Sequence, residues 1–338
     1  MRSGMVVGGI RILVVACVLA IGASLARGAE ANKQVLFLTK SAGFQHSVIT
    51  RDQKDGKKMA WAEQHLIDLG SQNGFEVTVT KDADVFNKPE TYRKYDIFAF
   101  YTTGDLTQAS DKPHFKFGPD GKPLRLPDGK QLVSDGTLHT ETPMSAEGKA
   151  MFLKSIQDGK GFIAFHCGSD TFHSKRNDEM VRPLDAKPEA VDPYIQMVGG
   201  EFKGHGSQQM ATQRFVSPGF PGLENMKDFS FVEEWYNLYN LDPNIHVILV
   251  QDTTTMKVDK NGQREPNYTR APYPATWAKM YGKGRVFYTS MGHREDVWTN
   301  PIFQQVVLAG LKFVAGETNP DLTPNMDKVA PQPTKAVK

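Results

Sequence analysis

The chain has 338 residues, 39% of them hydrophobic, with 40 Lys plus Arg against 38 Asp plus Glu and two cysteines. That apolar content over that length supports a large core and excludes an intrinsically disordered chain, while two cysteines exclude a disulfide scaffold. A formal charge of +2 argues against nucleic acid or an anionic membrane as partner, because both reward a strong positive surface.

In chain order, the first feature is an apolar run over residues 12–26, preceded by Arg2 and Arg11 and followed by small residues. This is the order of a secretory signal, read here as residues 1–31. The run is short for a membrane-spanning helix, so no stable membrane insertion is expected. The expected location is the periplasm or the exterior. Loss of the signal removes Arg2, Arg11, Arg27 and Glu30 and leaves a formally neutral chain. It also removes Cys17, so Cys167 has no intrachain disulfide partner.

VLFLT (Val35 to Thr39) reads as a buried parallel strand running into the polar segment KSAGFQHS. Apolar residues at helical spacing between Gly56 and Gly70 predict a helix, FEVTV from Phe75 a second strand and YDIFAFYT from Tyr95 a third. Residues 108–143 lose this rhythm; two Asp-Gly pairs and several prolines predict a surface insertion with a small hairpin. Ser145 then caps a helix that Gly159 stops, and GFIAF is again a buried strand, ending at His166. VGGEFKGHG (Val198 to Gly206) reads as a glycine-rich loop able to approach a ligand. ATQRFV, HVILVQDT and GRVFYTSMGH predict three more strands, and Pro301 to Val314 a closing helix. The domain is expected over residues 33–316, with residues 317–338 as a disordered tail. Strands alternating with helices predict an α/β fold, a doubly wound, mostly parallel sheet flanked by helices.

The polar residues fall where such a sheet puts its ligand. His46 follows the first strand, Gly104-Asp105 the third, His166 the fourth and His293 the last. Carboxyl ends of parallel strands share one edge, so these side chains are expected to converge, with Glu234 joining them. His46, His166, Glu234 and His293 are therefore the catalytic candidates, as proton-exchanging groups or as ligands of a divalent metal such as zinc. Without a metal, Glu234 and a histidine would divide the acid and base roles. Aromatic residues close to these positions suit sugar stacking as well as core packing. Phe44, Asp105, His205, Trp235, Tyr236 and Trp277 are the substrate-binding candidates. Cys167 beside a strand end invites comparison with a nucleophile, but it stands one residue from the slot where an elbow presents one.

GFQHS (Gly43 to Ser47), GDLT (Gly104 to Thr107), GKGFIAFHCGSDTF (Gly159 to Phe172), YIQMVGGEFKGHG (Tyr194 to Gly206), EEWY (Glu233 to Tyr236) and ATWAKMYGKGRVFYTSMGH with the following Trp298 together resemble the ThuA-like, or trehalose-utilisation, family. The resemblance runs from Val35 to Gly316. It implies a fold like that of class I glutamine amidotransferases, flavodoxin-like, with His166 in the nucleophile slot, which argues against glutaminase activity. It also implies histidines at positions 46, 166 and 293 and an acidic stretch at Glu233 to Tyr236. The family often carries Asp directly after the last histidine, whereas Arg294 stands here and Glu295 follows. The expected function is an exported carbohydrate-active hydrolase or lyase acting on a disaccharide, glycoside or keto-glycoside. The expected partner is a small carbohydrate, and a homo-oligomer is compatible with the pattern. The alternative is a non-catalytic carbohydrate-binding module.

Overall fold

The computed structural model describes residues 32–51, 58–108, 143–174 and 190–331, with residues 1, 4 and 127 as isolated positions. The expected signal and nearly all of the expected insertion lie outside the described residues. The described residues from 32 onward belong to one compact unit.

Among the described residues nine strands form one sheet. Its first half is parallel and comprises β1 (Lys33–Leu38), β2 (Phe75–Thr80), β3 (Ile97–Phe100) and β4 (Gly161–Phe165). These strands are apolar because helices cover both faces of a parallel sheet; every residue of β3 and β4 is buried. The other strands, in chain order, are β5 (Glu201–His205), β6 (Gln209–Phe215), β7 (Phe229–Glu233), β8 (Tyr236–Tyr239), β9 (His246–Asp252), β10 (Tyr273–Tyr281) and β11 (Gly284–Thr289). The sheet order is β2-β1-β3-β4-β11-β10-β9-β6-β7. β11 pairs in parallel with β4, and from β11 outward to β7 the pairing is antiparallel. The fold is thus a large mixed sheet whose parallel half carries the doubly wound pattern.

The helices are α1 (Trp61–Ser71), α2 (Pro89–Lys94), α3 (Ala146–Gln157), α4 (Pro193–Val198), α5 (Glu295–Trp298), α6 (Pro301–Val314) and α7 (Met326–Val329). Ser145 caps α3 as its position predicts, its side chain accepting from Gly148 N at 2.9 Å. α6 starts on an Asn300 cap with Pro301 in its first turn. It buries Phe303, Val306, Val307, Phe313 and Val314 on the face toward the sheet. Each such side chain contributes about 1.5–3 kcal/mol by leaving water.

Two departures from the expected layout matter for the site. The glycine-rich stretch after Val198 is not an irregular loop: its second half is β5, which pairs antiparallel with β8 in a separate two-stranded sheet, His205 opposite Tyr236. A register shift between Phe202 and Gly204 is the structural use of that glycine. The expectation of a disordered tail also fails for residues 317–331. Asn325 accepts from Val247 N at 2.7 Å and donates to Val247 O at 3.0 Å, replacing a strand partner that β6 does not reach. Met326 and Ala330 are buried beside it. Residues 332–338 lie outside the described residues.

Candidate active site

Three parallel strands, β1, β4 and β11, with β3 lying between the first two, deliver three histidines to one edge. His46 lies in the loop after β1, His166 directly after β4, and His293 after β11. Glu234 comes from the link between β7 and β8, on the antiparallel side. The four residues are all buried, and one ligand-capable atom from each lies within 4.8 Å of all the others. The imidazole rings form a triangle with centroids 5.0 Å apart for His46–His166, 5.2 Å for His46–His293 and 5.2 Å for His166–His293, each pair edge to face.

Local backbone explains how the histidines are aimed. His166 has φ 42°, the left-handed region that a non-glycine residue adopts at a cost of about 1–3 kcal/mol. At this residue the chain leaves β4 and enters a 3-10 turn over His166–Asp170. Its Nδ1 faces Ser290 O at 2.8 Å, so Nδ1 carries the proton and Nε2 keeps a free lone pair. Nε2 lies 3.4 Å from Glu234 Oε2. His293 follows Gly292, whose φ of 117° only glycine adopts without strain. The His293 Nδ1 lies 3.2 Å from the same Glu234 oxygen, and its Nε2 lies 3.0 Å from the Gln208 amide nitrogen. Gly104, with φ 72°, lets the loop after β3 touch the loop that leads to His46; a Cβ there would stand 2.7 Å from Gly43 N.

Three buried nitrogens in this cavity, His46 Nδ1, His166 Nε2 and His293 Nδ1, make no well-directed hydrogen bond. Buried polar atoms are almost always paired, so three orphans facing one space mark it as a ligand cavity.

The electrostatics follow from burial and from Glu234. Burial, reinforced by the neighbouring His166 and His293, holds His46 well below the ordinary histidine range. Burial also lowers His166, against the opposing pull of Glu234. For His293 burial is outweighed by Glu234, and its pKa rises. Burial alone would raise Glu234, but its contacts to His166 and His293 prevail and hold the carboxyl well below its usual range. The cavity therefore combines a fixed negative charge at Glu234 with His46 and His166 held toward their neutral forms, while Glu234 draws His293 toward its charged form.

The supporting residues include several that sequence reasoning missed. Glu233 is fully buried and accepts from Gly292 N at 2.8 Å, His293 N at 3.1 Å and Glu234 N at 2.8 Å. Its carboxyl is pushed up to about 7 by burial, opposed by His293 and those donors. Tyr101 packs its ring on His46 and His166 and donates to Gly292 O at 3.1 Å. Gln208, in a short polar turn without any motif, joins His293 to Arg294 through an Oε1 contact of 2.8 Å to Arg294 Nη1.

The expected substrate contacts divide. Tyr236 lines the cluster, its ring centroid 4.0 Å from that of His166. His205 stands at the rim, 44% exposed, with Nδ1 3.3 Å from Glu234 Oε1. Phe44, 45% exposed, lies edge-on to His46 at 5.0 Å. Trp235 and Trp277 do not serve as stacking platforms. Both are fully buried; Trp235 donates to Gln209 O at 2.7 Å, and Trp277 donates to Val198 O at 2.7 Å while its ring rests on Tyr288. An indole engaged on all sides has no face for a sugar. Asp105 is also withdrawn: it accepts from Thr107 N at 2.9 Å and Thr107 Oγ1 at 2.6 Å and so closes its own turn. Cys167 is fully buried, and burial pushes its thiol well above the ordinary range, the opposite of an activated nucleophile.

The sequence profile of the ThuA family, described as trehalose utilisation, matches residues 129–314. The chain belongs to this family. No curated protein sequence matches it. Among solved structures, a ThuA-like protein from Bacteroides uniformis ATCC 8492 superposes with a TM-score of 0.52 at 15% identity, covering 85% of this chain and 92% of the other. A ThuA-like protein from Parabacteroides merdae ATCC 43184 gives 0.49 at 14% identity, with coverage of 87% and 95%. The first likeness supports the amidotransferase-like, flavodoxin-like fold for this ThuA chain. Among the described residues no helix is long and apolar enough to cross a membrane.

Proposed function

We propose that this ThuA-family chain is an exported enzyme that cleaves a small carbohydrate, a disaccharide, glycoside or keto-glycoside, by hydrolysis or elimination at the His46–His166–Glu234–His293 cluster. The single observation that carries the reading is the convergence of four proton-exchanging groups from four chain segments into one buried cavity. Either reaction removes a proton, from water or from a carbon beside a carbonyl, and returns one to the leaving oxygen. Four such groups within reach of one substrate atom supply both operations without long proton transfers. Phe44 offers an exposed apolar edge and His205 a polar one at the rim, a pairing that suits the apolar face and hydroxyl edge of a sugar ring. The family's link to trehalose utilisation points to the same substrate class. A purely binding role gains no support from Trp235 and Trp277, which are packed into the core.

The test is product formation from trehalose, related disaccharides and their keto derivatives, followed by NMR. Turnover by the unmodified chain, lost by at least about 100-fold in Glu234→Gln and His166→Ala that retain native circular dichroism, supports the reading. Turnover that survives both substitutions overturns it. Export is tested by the N-terminus of the protein recovered outside the cytoplasm, which is expected close to Asn32.

A further inference from the structure

We infer that the same cluster is a mononuclear binding site for a divalent transition cation, with His166 Nε2, His293 Nδ1, a ring nitrogen of His46 and a carboxylate oxygen of Glu234 as its ligands. The inference uses the residues of the proposed active site but is independent of which sugar is cleaved there.

Geometry is the first support. Around a four-coordinate ion with bonds of about 2.0–2.1 Å, neighbouring donor atoms stand roughly 3.3–3.4 Å apart. Glu234 Oε2 lies 3.4 Å from His166 Nε2 and 3.2 Å from His293 Nδ1, two edges of such a polyhedron. The full set spans no more than 4.8 Å, so small side-chain rotations close it on one ion.

The second support is the pattern of satisfied and unsatisfied nitrogens. His166 spends Nδ1 on Ser290 O and leaves Nε2 bare, the arrangement that fixes a ligating tautomer. His46 Nδ1 likewise makes no hydrogen bond, and His293 Nδ1 faces only the Glu234 carboxylate, at 3.2 Å. A cation satisfies all three at once and neutralises Glu234. At His293 the outer nitrogen faces the Gln208 amide. When Nδ1 is a ligand, Nε2 carries the proton, and the Gln208 amide has to turn its oxygen toward it, giving up the 2.8 Å contact from Arg294 Nη1.

The donor set selects the ion class. Three imidazoles and one carboxylate suit zinc and its neighbours, whereas magnesium and calcium require oxygen ligands. The rim at Phe44 and His205 would leave a side from which a sugar oxygen could complete the coordination; an ion there polarises a carbonyl or activates water.

The experiment is calorimetric titration of chelator-treated full chain with zinc, nickel and magnesium chlorides, with metal content per chain measured after desalting. The expected result is one zinc or nickel ion per folded chain, no heat with magnesium, and affinity lowered by at least 100-fold in His166→Ala and in the isosteric Glu234→Gln. His205→Ala, at the rim, is expected to keep one ion per chain. A folded wild-type chain that binds no zinc or nickel stoichiometrically overturns the inference, as does binding unchanged by both ligand substitutions. The wild-type titration decides even if a variant fails to fold. Wild type that binds no zinc or nickel yet cleaves its sugar would sink the metal site and leave the proposed function standing; an ion bound without sugar turnover would do the reverse.

Discussion

Replacing Glu201 by glutamine removes a buried charge that ties the turn after His166 to the sheet bearing His205. Its carboxylate accepts from Ser174 Oγ at 2.6 Å, Asn240 Nδ2 at 2.8 Å, Ser174 N at 3.2 Å and His173 Nδ1 at 3.2 Å. Burial works against ionisation, but these donors prevail and lower the carboxyl from 4.5 to about 2. A depressed acid stabilises the fold fully above its unfolded pKa and loses that contribution as pH falls toward the folded value. The shift corresponds to about 3 kcal/mol at most at pH 7, and to about 1.4 kcal/mol at pH 3, where both states are partly protonated. The stability gap between wild type and Glu201→Gln should therefore narrow by about 2 kcal/mol between pH 7 and pH 3. Urea unfolding followed by tryptophan fluorescence at pH 7, 5, 4 and 3 measures it. A gap that stays constant over this range refutes the account of Glu201.

Trp277→Ala should cost about 3–5 kcal/mol of stability by opening a core cavity, with sugar affinity of the folded protein unchanged; a selective loss of sugar binding would restore the platform role. Cys167 should react with a thiol reagent only after unfolding, and rapid native labelling protected by sugar would contradict its burial. Asn325→Ala should lower stability by about 1–3 kcal/mol through the unpaired Val247 N–H and C=O, as read by thermal unfolding, whereas a frayed tail predicts no change.

The parallel half of the fold was legible because its strands are continuous apolar runs that end in polar loops. VLFLT, GFIAF and the run before Met291 place His46, His166 and His293 by that rule alone, and the structure brings the three together. What stayed hidden depended on partners distant in sequence. Trp235 and Trp277 sit beside polar motifs, yet their N–H groups find backbone carbonyls at Gln209 and Val198 that no local pattern announces. Gln208 lies in a stretch without periodicity, and only the fold sets it against His293. The Glu-Glu pair was visible, but not that Glu233 turns inward to hold backbone N–H groups while Glu234 faces the cavity. The tail looked like linker by composition because its docking rests on scattered contacts, among them Asn325 to Val247, Thr323 O to His246 and Asn319 to Arg285, that no local pattern announces.

The central claim is that the histidine–glutamate cluster is where the sugar reacts. A crystal of Glu234→Gln soaked with the cleaved disaccharide or keto-glycoside tests it most directly. The account predicts density for the sugar against Phe44, with its scissile oxygen within hydrogen-bond reach of His166 or His293. Sugar bound only elsewhere on the molecule, with the cluster left to solvent, would contradict it.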